Sequence, residues 1–271
     1  MHRSERHLYS INLAARNSSD CGIVRPSVLD VRYQGVVGLL LEGIMKTQRR
    51  LAACRGDVMK LYHDPITVNC RKVVAGFGLM SVGFEKSQVS YLGGGHKAPE
   101  YLEINPNGAL PTLVDGDFKL WESNAILQYA AEKTEAFAYY PRELKKRADI
   151  HRWQFWEAAH WYPSCYVYLV ENVAKPMMNT KPDQAAIDKE APNWHRLANV
   201  LEKRLTDQAW ICGDSVTLAD IAVAAPMHLY AYQKLPLNTY PNIQRWMSER
   251  VEELPCWKAT DVALTLGLKA A

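Results

Sequence analysis

The stretch GHKAPEYLEINPNGALPTLVDGDFKLWESNAILQY, residues 95–129, decides the fold of this chain. Within it, two runs rich in apolar and aromatic residues, LPTLV and DFKLW, flank Asp115-Gly116. An Asp-Gly pair tolerates the positive φ that a tight turn needs, so the two runs are predicted to form a β-hairpin. A helical pattern follows over residues 123–132. The stretch therefore predicts a ββα unit.

The residues before this unit predict a βαβ unit. Strands are expected at 60–63 and 84–89, with a helix at 69–79 between them. A Gly-rich loop at 93–95 and a short helix at 98–104 lead into the hairpin. The order βαβ and then ββα predicts a mixed sheet with helices on its faces.

Beyond Tyr140-Pro141 the pattern is helical throughout. Residues 143–171 are rich in Trp and Tyr, and Pro163 is expected to kink or break the helix there. Apolar residues recur at helical spacing over 187–205, although Pro192 blurs where the regular helix begins. Further helices are expected near 242–252 and 257–266. The second half of the chain is therefore predicted to be an all-α domain.

The clearest local signal in that half is Thr217-Leu218-Ala219-Asp220. The Thr217 hydroxyl can accept from the Asp220 backbone N–H while the Asp220 carboxylate accepts from the Thr217 N–H, which makes a capping box. Val216 and Ile221 are placed as the hydrophobic staple beside it. A helix is predicted to start here.

These patterns divide the chain into three predicted parts: an N-terminal extension at 1–58, expected to be disordered or poorly structured, an α/β domain at 59–135 and an all-helical domain at 142–271. The longest apolar stretch of the extension, residues 35–45, contains Glu42 and is short of the ~20 residues that span a bilayer. No membrane helix is expected. A secretory signal fits poorly, and a transit peptide remains an alternative interpretation.

Charge and cysteine content exclude some partners and compartments. The 32 Lys and Arg against 29 Asp and Glu give a formal net charge of +3 without a basic stripe, so no nucleic-acid partner is expected. The six cysteines form no CxxC pair, and a chain of 271 residues does not need disulfides to hold a core. A reducing, cytoplasmic location is predicted.

Three stretches together resemble the cytosolic glutathione transferases: LYHDPITVNCRKV (61–73), residues 95–129 and the capping box at 217–220. They are most similar to the phi and theta classes, of bacterial type. The resemblance covers the chain from about Met59 onward. It implies a thioredoxin-like βαβαββα domain that binds glutathione, followed by an all-helical domain. It also implies a homodimer that uses glutathione as co-substrate, needs no other cofactor, and detoxifies small hydrophobic electrophiles.

The resemblance assigns the glutathione-binding residues to three motifs. In NPNGALP, the Leu110-Pro111 bond would be cis, and Ala109, Leu110 and Pro111 would present backbone to the cysteinyl part of the ligand. In ESNAI, Ser123 at a helix N-terminus would bind the γ-glutamyl carboxylate and Glu122 would face the ligand's ammonium group. The His96-Lys97 pair would face the glycine carboxylate.

The resemblance also places Thr67 where phi and theta enzymes carry an activating serine. A free thiol has a pKa near ~8.5, and a hydroxyl that donates to the sulfur favours the thiolate. Asn69 is a second candidate donor, because some bacterial members use an asparagine just after a threonine; its alternative role is a helix N-cap. Cys70 would act only in a third interpretation, a thiol reductase.

Two further points stay open at this level. Trp153, Trp156, Tyr162 and Tyr166 could wall an electrophile pocket between the domains, but aromatic residues at helical spacing are more often core. The main alternative to an enzyme that attacks electrophiles or peroxides is a non-catalytic transferase-like module used for binding or dimerisation.

Overall fold

The computed structural model describes residues 58–263 and 265–268. Apart from Val58, the predicted N-terminal extension lies outside these residues. The first part of the described chain is a four-stranded sheet with helices. Its elements are strand β1 (Lys60–His63), helix α1 (Val68–Leu79), strand β2 (Glu85–Gln88), helix α2 (Pro99–Leu102), strand β3 (Thr112–Asp115), strand β4 (Phe118–Trp121) and helix α3 (Ser123–Lys133).

The sheet is mixed, as predicted, with the strand order β2-β1-β3-β4. The α1 crossover makes β1 and β2 parallel, whereas β3 runs antiparallel to both β1 and β4. The hairpin differs from the prediction by one residue. Asp115 pairs with Phe118, so the two-residue turn is Gly116-Asp117. Gly116 has a φ of +61°, and a positive φ at the first central position alone is the pattern of a type II′ turn.

Helices α1 and α3 pack against each other and against the sheet. Leu61 and Leu113 lie opposite each other in the sheet and are fully buried beneath Phe77 of α1 and Leu127 of α3. Gly76 permits this close packing, because a Cβ at that position would collide with the Leu127 side chain. This arrangement brings the N-termini of both helices to one side of the sheet.

The second part of the described chain is helical. It contains helix α4 (Leu144–Trp156), a π-helical turn (Glu157–Trp161), helix α5 (Tyr162–Leu169), a second π turn (Val170–Ala174), helix α6 (Lys175–Met177), helix α7 (Gln184–Arg204), helix α8 (Leu218–Ala224), helix α9 (Tyr230–Gln233), helix α10 (Pro241–Trp246), a third π turn (Met247–Val251) and helix α11 (Pro255–Lys258).

Two of the helix predictions need correction. Pro163 does not break the helix, because the π turn at Glu157–Trp161 widens the helix just ahead of it and α5 continues directly. This is where a proline ring would otherwise crowd the carbonyl four residues earlier. The helix expected at 257–266 is only α11, which ends at Lys258. The Asp261 side chain accepts from the Ala263 N–H, a local bond that competes with helix continuation.

Helix α7 runs through Pro192 without interruption and begins at a side-chain cap, since Asp183 accepts from the N–H groups of Ala185 and Ala186. The capping box of α8 is confirmed. The Thr217 N–H donates to Asp220 Oδ2 at 2.8 Å, and the Thr217 hydroxyl accepts from the Ala219 N–H at 3.3 Å.

One hydrophobic cluster runs through both parts, from Leu61 and Phe77 to Ile150, Trp194 and Trp246. The predicted fold class, a thioredoxin-like domain followed by an all-helical domain, is confirmed. No helix within the described ranges combines the length and apolar character needed to cross a membrane.

Candidate functional site

The loop between β1 and α1 holds Thr67 at the start of the helix. Thr67 has the extended backbone of an N-cap residue, but its side chain caps nothing. Its hydroxyl instead donates to the Asp64 carbonyl oxygen at 3.1 Å, as does its own N–H. Thr67 is therefore a partly exposed hydroxyl beside the unpaired N–H groups of the first turn of α1.

Asp64, which the sequence analysis missed, organises this loop. Its buried carboxylate accepts from the N–H of Ile66 at 3.1 Å and of Tyr91 at 2.8 Å. The second bond ties the β1–α1 loop to the Gly-rich segment that follows β2. An Asp-Pro pair directly before Ile66 is a turn signal that could have indicated this role.

Cys70 is a buried free thiol packed against Tyr101 and Leu110. Its sulfur accepts from the Asp64 N–H at 3.4 Å. Burial raises the pKa of this thiol to about 12, although the hydrogen bond from the Asp64 N–H acts in the opposite direction. A thiol that stays protonated in a closed environment lacks the reactivity that a reductase needs.

His96 and Lys97 lie in a 3₁₀ turn, Gly95–Lys97, after Gly94 with its positive φ of +76°. The His96 ring stacks on Tyr91 at 4.5 Å between centroids, and its Nδ1 is buried without a hydrogen-bond partner in the described structure. Lys97 is exposed, and its Nζ donates to the carbonyl of Asn107 at 3.4 Å. Lys97 therefore lies next to the NPNGALP loop.

The Leu110-Pro111 peptide bond is cis, which confirms the prediction. Asn105 and Tyr101 hold the loop before it, since both donate to the carbonyl oxygen of Ala109, at 2.9 Å and 2.7 Å. In the described part of the chain, the N–H and C=O of Leu110 make no hydrogen bond. An extended ligand can therefore pair with them.

Glu122 and Ser123 occupy the junction between β4 and α3. Glu122 has a φ of +71°, a conformation that costs energy for a residue with a Cβ and recurs at functional sites. Ser123 is buried at the first position of α3, and its hydroxyl donates to Asn69 Oδ1 at 3.2 Å. The alternative role of Asn69 as a helix N-cap is wrong, because Thr67 occupies the cap position and Asn69 lies inside the first turn.

A buried ion pair that the sequence analysis also missed adjoins Ser123. Lys72 Nζ lies 2.9 Å from Glu157 Oε2, and the two side chains are 2% and 1% exposed. The same ammonium group donates to Ser123 Oγ at 3.1 Å. Lys72 belongs to α1 and Glu157 to the first π turn, so the pair joins the two parts of the fold at the candidate site.

The four aromatic residues considered as pocket walls divide into two groups. Trp153 is core, and Trp156 packs against the core. Tyr162 and Tyr166 stack on each other at 5.4 Å, and Tyr166 is exposed. Burial raises the pKa of both phenols. Neither tyrosine belongs to the core cluster, so this pair is available to line a site.

Contacts join these residues into one surface, the cleft. Ser123 bonds to Asn69 of α1, Cys70 of α1 packs against Leu110, and Lys97 bonds to Asn107 of the loop before Leu110. Such a cleft can hold an extended peptide with a carboxylate at each end. Thr67 directly precedes α1, two residues before Asn69 and three before Cys70.

Two family models match this chain: Glutathione S-transferase, N-terminal domain, over residues 57–132, and Glutathione S-transferase, C-terminal domain, over residues 167–255. A probable glutathione S-transferase of rice, Oryza sativa subsp. japonica, is 30% identical over 194 residues, which make up 70% of this chain and 90% of the rice protein.

Solved structures of glutathione S-transferases are also similar to this chain. Glutathione S-transferase I from maize, in complex with an atrazine glutathione conjugate, is 28% identical with a TM-score of 0.68, and the match covers 79% of this chain and all of the maize chain. The theta class glutathione S-transferase from Xanthomonas axonopodis pv. citri, with glutathione bound, is 27% identical with a TM-score of 0.67, over 75% of this chain and 96% of that one. This chain belongs to the glutathione S-transferase family.

Proposed function

We propose that this chain binds glutathione in the cleft, ionises its thiol and transfers the glutathionyl group to small hydrophobic electrophiles. The proposal rests mainly on the first turn of α1, because residues of this turn contact both Ser123 and Leu110, where two parts of glutathione would bind. Asn69 bonds to Ser123, and Cys70 packs against Leu110. Thr67 directly precedes this turn and supplies the hydroxyl group nearest in sequence to Asn69 and Cys70.

Glutathione fits the cleft from end to end. Its γ-glutamyl carboxylate accepts from the Ser123 hydroxyl and from the free N–H groups of α3, an 11-residue helix whose dipole favours an anion there. Glu122 faces the ammonium group of the same residue. The cysteinyl backbone pairs with the N–H and C=O of Leu110, flanked by Ala109 and Pro111.

At the other end of the cleft, His96 and Lys97 face the glycine carboxylate. Both can donate, and Lys97 is exposed and only weakly bonded to Asn107, at 3.4 Å. It can turn to a ligand at little cost. Carboxylate recognition by donors on a loop is a charge-assisted interaction, which is stronger than a bond between neutral groups.

The chemical step follows from placing the sulfur at Thr67. The hydroxyl donates to the thiolate and the dipole of α1 stabilises its charge, so a larger share of bound glutathione is ionised. The thiolate attacks an electrophilic carbon, a C–S bond forms, and the leaving group departs with its electron pair. Tyr162 and Tyr166 supply an apolar, aromatic wall for the electrophile.

We assign the site to the phi and theta type. The hydroxyl of Thr67 before α1 and the His96-Lys97 pair support this assignment, and the maize and Xanthomonas structures are consistent with it. The narrower assignment to a bacterial type goes beyond this support, because the relatives include proteins of rice and maize as well as one of Xanthomonas.

We also infer that the chain forms a homodimer in the cytoplasm. Strand β4 is a sheet edge with Phe118 and Trp121 exposed, and α4 exposes Leu144 and Phe155 to 80% and 71%. Large apolar side chains exposed on two elements are typical of an interface. The free thiols among the described residues support a reducing compartment. Light scattering should give the mass of two chains for the wild type and of one for Phe155→Glu.

Retention on immobilised glutathione, followed by turnover of a panel with an aryl halide, an alkyl halide and a hydroperoxide, tests the proposed function. We expect retention, elution by free glutathione and turnover of at least one halide. Retention without turnover of any compound would favour the alternative, a binding module. One observation points to that alternative, since in the free protein the Thr67 hydroxyl already donates to Asp64.

A further inference from the structure

Lys72 is a buried lysine that the proposed reaction does not use. It lies on α1 with its side chain 2% exposed, and a charge in that position is costly unless it is fully paired. The three protons of the group have three acceptors: Glu157 Oε1 at 3.0 Å, Glu157 Oε2 at 2.9 Å and Ser123 Oγ at 3.1 Å. Each of the three N–H groups of the ammonium group therefore donates a hydrogen bond.

The bond to Ser123 fixes the direction in which the serine can donate. Ser123 Oγ accepts from Lys72 on one side, so its own proton points to the other side, where it meets Asn69 Oδ1 at 3.2 Å. An ammonium group cannot accept a proton, so Ser123 can never turn its donor towards Lys72. The proton therefore points towards Asn69 in the free protein, and a ligand carboxylate beside Ser123 accepts it by replacing the bond to Asn69.

The position of the charge adds to this effect. A carboxylate bound by Ser123 would lie about 2.7 Å from Oγ and therefore about 5 Å from the Lys72 ammonium group. At this depth water screens the attraction weakly. Glu157 balances the lysine, but it comes from the helical part and bonds to Lys72 and to Asn124 Nδ2. No hydrogen bond of the described structure joins it to Ser123.

We infer that Lys72 is a positioning residue for the γ-glutamyl carboxylate of glutathione, acting through Ser123, and that Glu157 balances its charge. The inference rests on the proposed function, because it assumes that the carboxylate binds at Ser123. It makes glutathione affinity depend on the packing of the two parts of the fold, since Lys72 and Glu157 lie 85 positions apart in sequence.

The test compares glutathione with 4-aminobutyryl-cysteinylglycine, which differs from glutathione only in lacking the γ-glutamyl carboxylate. Calorimetry gives the dissociation constants of both peptides for the full-length wild type and for Lys72→Met/Glu157→Gln. The double variant removes both charges at nearly constant shape, so no unpaired charge stays buried. We expect the preference for glutathione over the analogue to fall about tenfold, which corresponds to 1.36 kcal/mol.

Two controls separate positioning from structure. Glu157→Gln alone keeps the ammonium group beside Ser123 and should keep the preference. Arg204→Met/Asp149→Asn removes another ion pair between helices, with atoms 2.6 Å apart, and should leave the preference unchanged. In the steady state, the KM for glutathione of Lys72→Met/Glu157→Gln should rise about tenfold, while its kcat falls less than threefold.

The outcomes are distinct. Equal weakening of both peptides in Lys72→Met/Glu157→Gln, or loss of the preference in Glu157→Gln alone, would assign the ion pair a purely structural role and overturn the inference. Failure of the wild type to bind glutathione would instead overturn the proposed function, and the inference with it. A wild type that binds both peptides equally would show that the carboxylate does not bind at Ser123.

Discussion

Ser123 and Asn69 share a hydrogen bond of 3.2 Å that joins the first turn of α3 to the first turn of α1. The two helix N-termini are therefore adjacent, and both direct unpaired N–H groups and positive dipole ends into the same cleft. Asn69 belongs to the carboxylate end of this cleft. Its amide is committed to the serine that we propose binds the γ-glutamyl group.

The position of Asn69 predicts a binding effect for its substitution. Asn69→Ala should change the KM for glutathione by less than about threefold, because the single Ser123 proton passes from Asn69 to the bound carboxylate, so a hydrogen bond worth about 1 kcal/mol is exchanged and not lost. Asn69→Asp should raise the KM, since a new carboxylate would repel the ligand's own. Steady-state kinetics over a range of glutathione concentrations measures both. Equal KM values for the two variants would place the ligand's carboxylate elsewhere.

Cys70 should be chemically inert in the native protein. Its thiol is buried and its pKa is raised to about 12, so thiolate is scarce at neutral pH. Iodoacetamide at pH 7.5 should leave Cys70 unmodified until denaturant is added, as followed by mass spectrometry of its peptide. Cys70→Ala should keep turnover within about twofold and cost about 1 kcal/mol of stability from the lost packing. Loss of turnover in a folded Cys70→Ala would restore the reductase interpretation.

Asp220 should make the free energy of unfolding fall as the pH rises, which is opposite to the usual effect of a carboxylate. Burial raises its pKa to about 6, although the N–H groups of Ile211 and Thr217, the Thr217 hydroxyl and the Trp246 indole all donate to it. A raised pKa means that the folded state binds the proton more tightly than the unfolded one. The stabilising contribution of Asp220 to the free energy of unfolding is present below pH ~4 and is lost as the pH rises through 6.

The matched variant for this effect is Asp220→Asn, which does not titrate. It should be less stable than wild type at pH 7 by about 2 kcal/mol, because an amide cannot accept from all of these donors. The difference in unfolding free energy should widen by about 2 kcal/mol between pH 7 and pH 4. Denaturant melts at each pH measure it. A gap that stays constant would contradict the raised pKa.

The elements with local signals could be predicted, and those that depend on distant contacts could not. The hairpin, the cis Leu110-Pro111 bond and the capping box each depend on a few adjacent residues. The Lys72-Glu157 pair depends on a contact across 85 positions, and a lysine on a helix is normally exposed. The break predicted at Pro163 was wrong for a related reason. No local signal in the sequence indicates that a π turn will accommodate the proline ring.

The proposed domain boundary near residue 59 gives a truncation test. Val58 is 66% exposed, whereas Met59 is buried and its carbonyl accepts from the Glu85 N–H at 2.8 Å. A chain that starts at Val58 keeps its new charged terminus in water and should fold and bind glutathione like the full-length protein. A chain that starts at Met59 should be less stable, because its charged amine adjoins a buried side chain. Insoluble protein from the Val58 start would assign the preceding residues a structural role.

Substitution of Thr67 tests whether its hydroxyl serves catalysis and not glutathione binding. In the free protein its hydroxyl donates to the Asp64 carbonyl at 3.1 Å, so it must give up that bond to donate to a thiolate. A bond to a charged acceptor contributes about 1.5–3 kcal/mol and the neutral bond about 1 kcal/mol, so the net gain is about 0.5–2 kcal/mol. Thr67→Val should therefore raise the pKa of the bound thiol by about one unit. Thiolate absorbance of the glutathione complex, titrated against pH, measures the shift.

Thr67→Ser is the matched control, since it keeps the hydroxyl and removes only the methyl group, and it should keep both the pKa of the bound thiol and the turnover. Binding of glutathione should change little in Thr67→Val, because the peptide is anchored through Ser123, Leu110 and Lys97. Below the pKa of the bound thiol, turnover at saturating glutathione should fall about tenfold in Thr67→Val, in proportion to the lost thiolate, and should recover as the pH is raised. That recovery distinguishes lost ionisation from lost positioning, which no increase in pH restores. An unchanged thiol pKa in Thr67→Val together with a raised one in Asn69→Ala would move the activating role to Asn69.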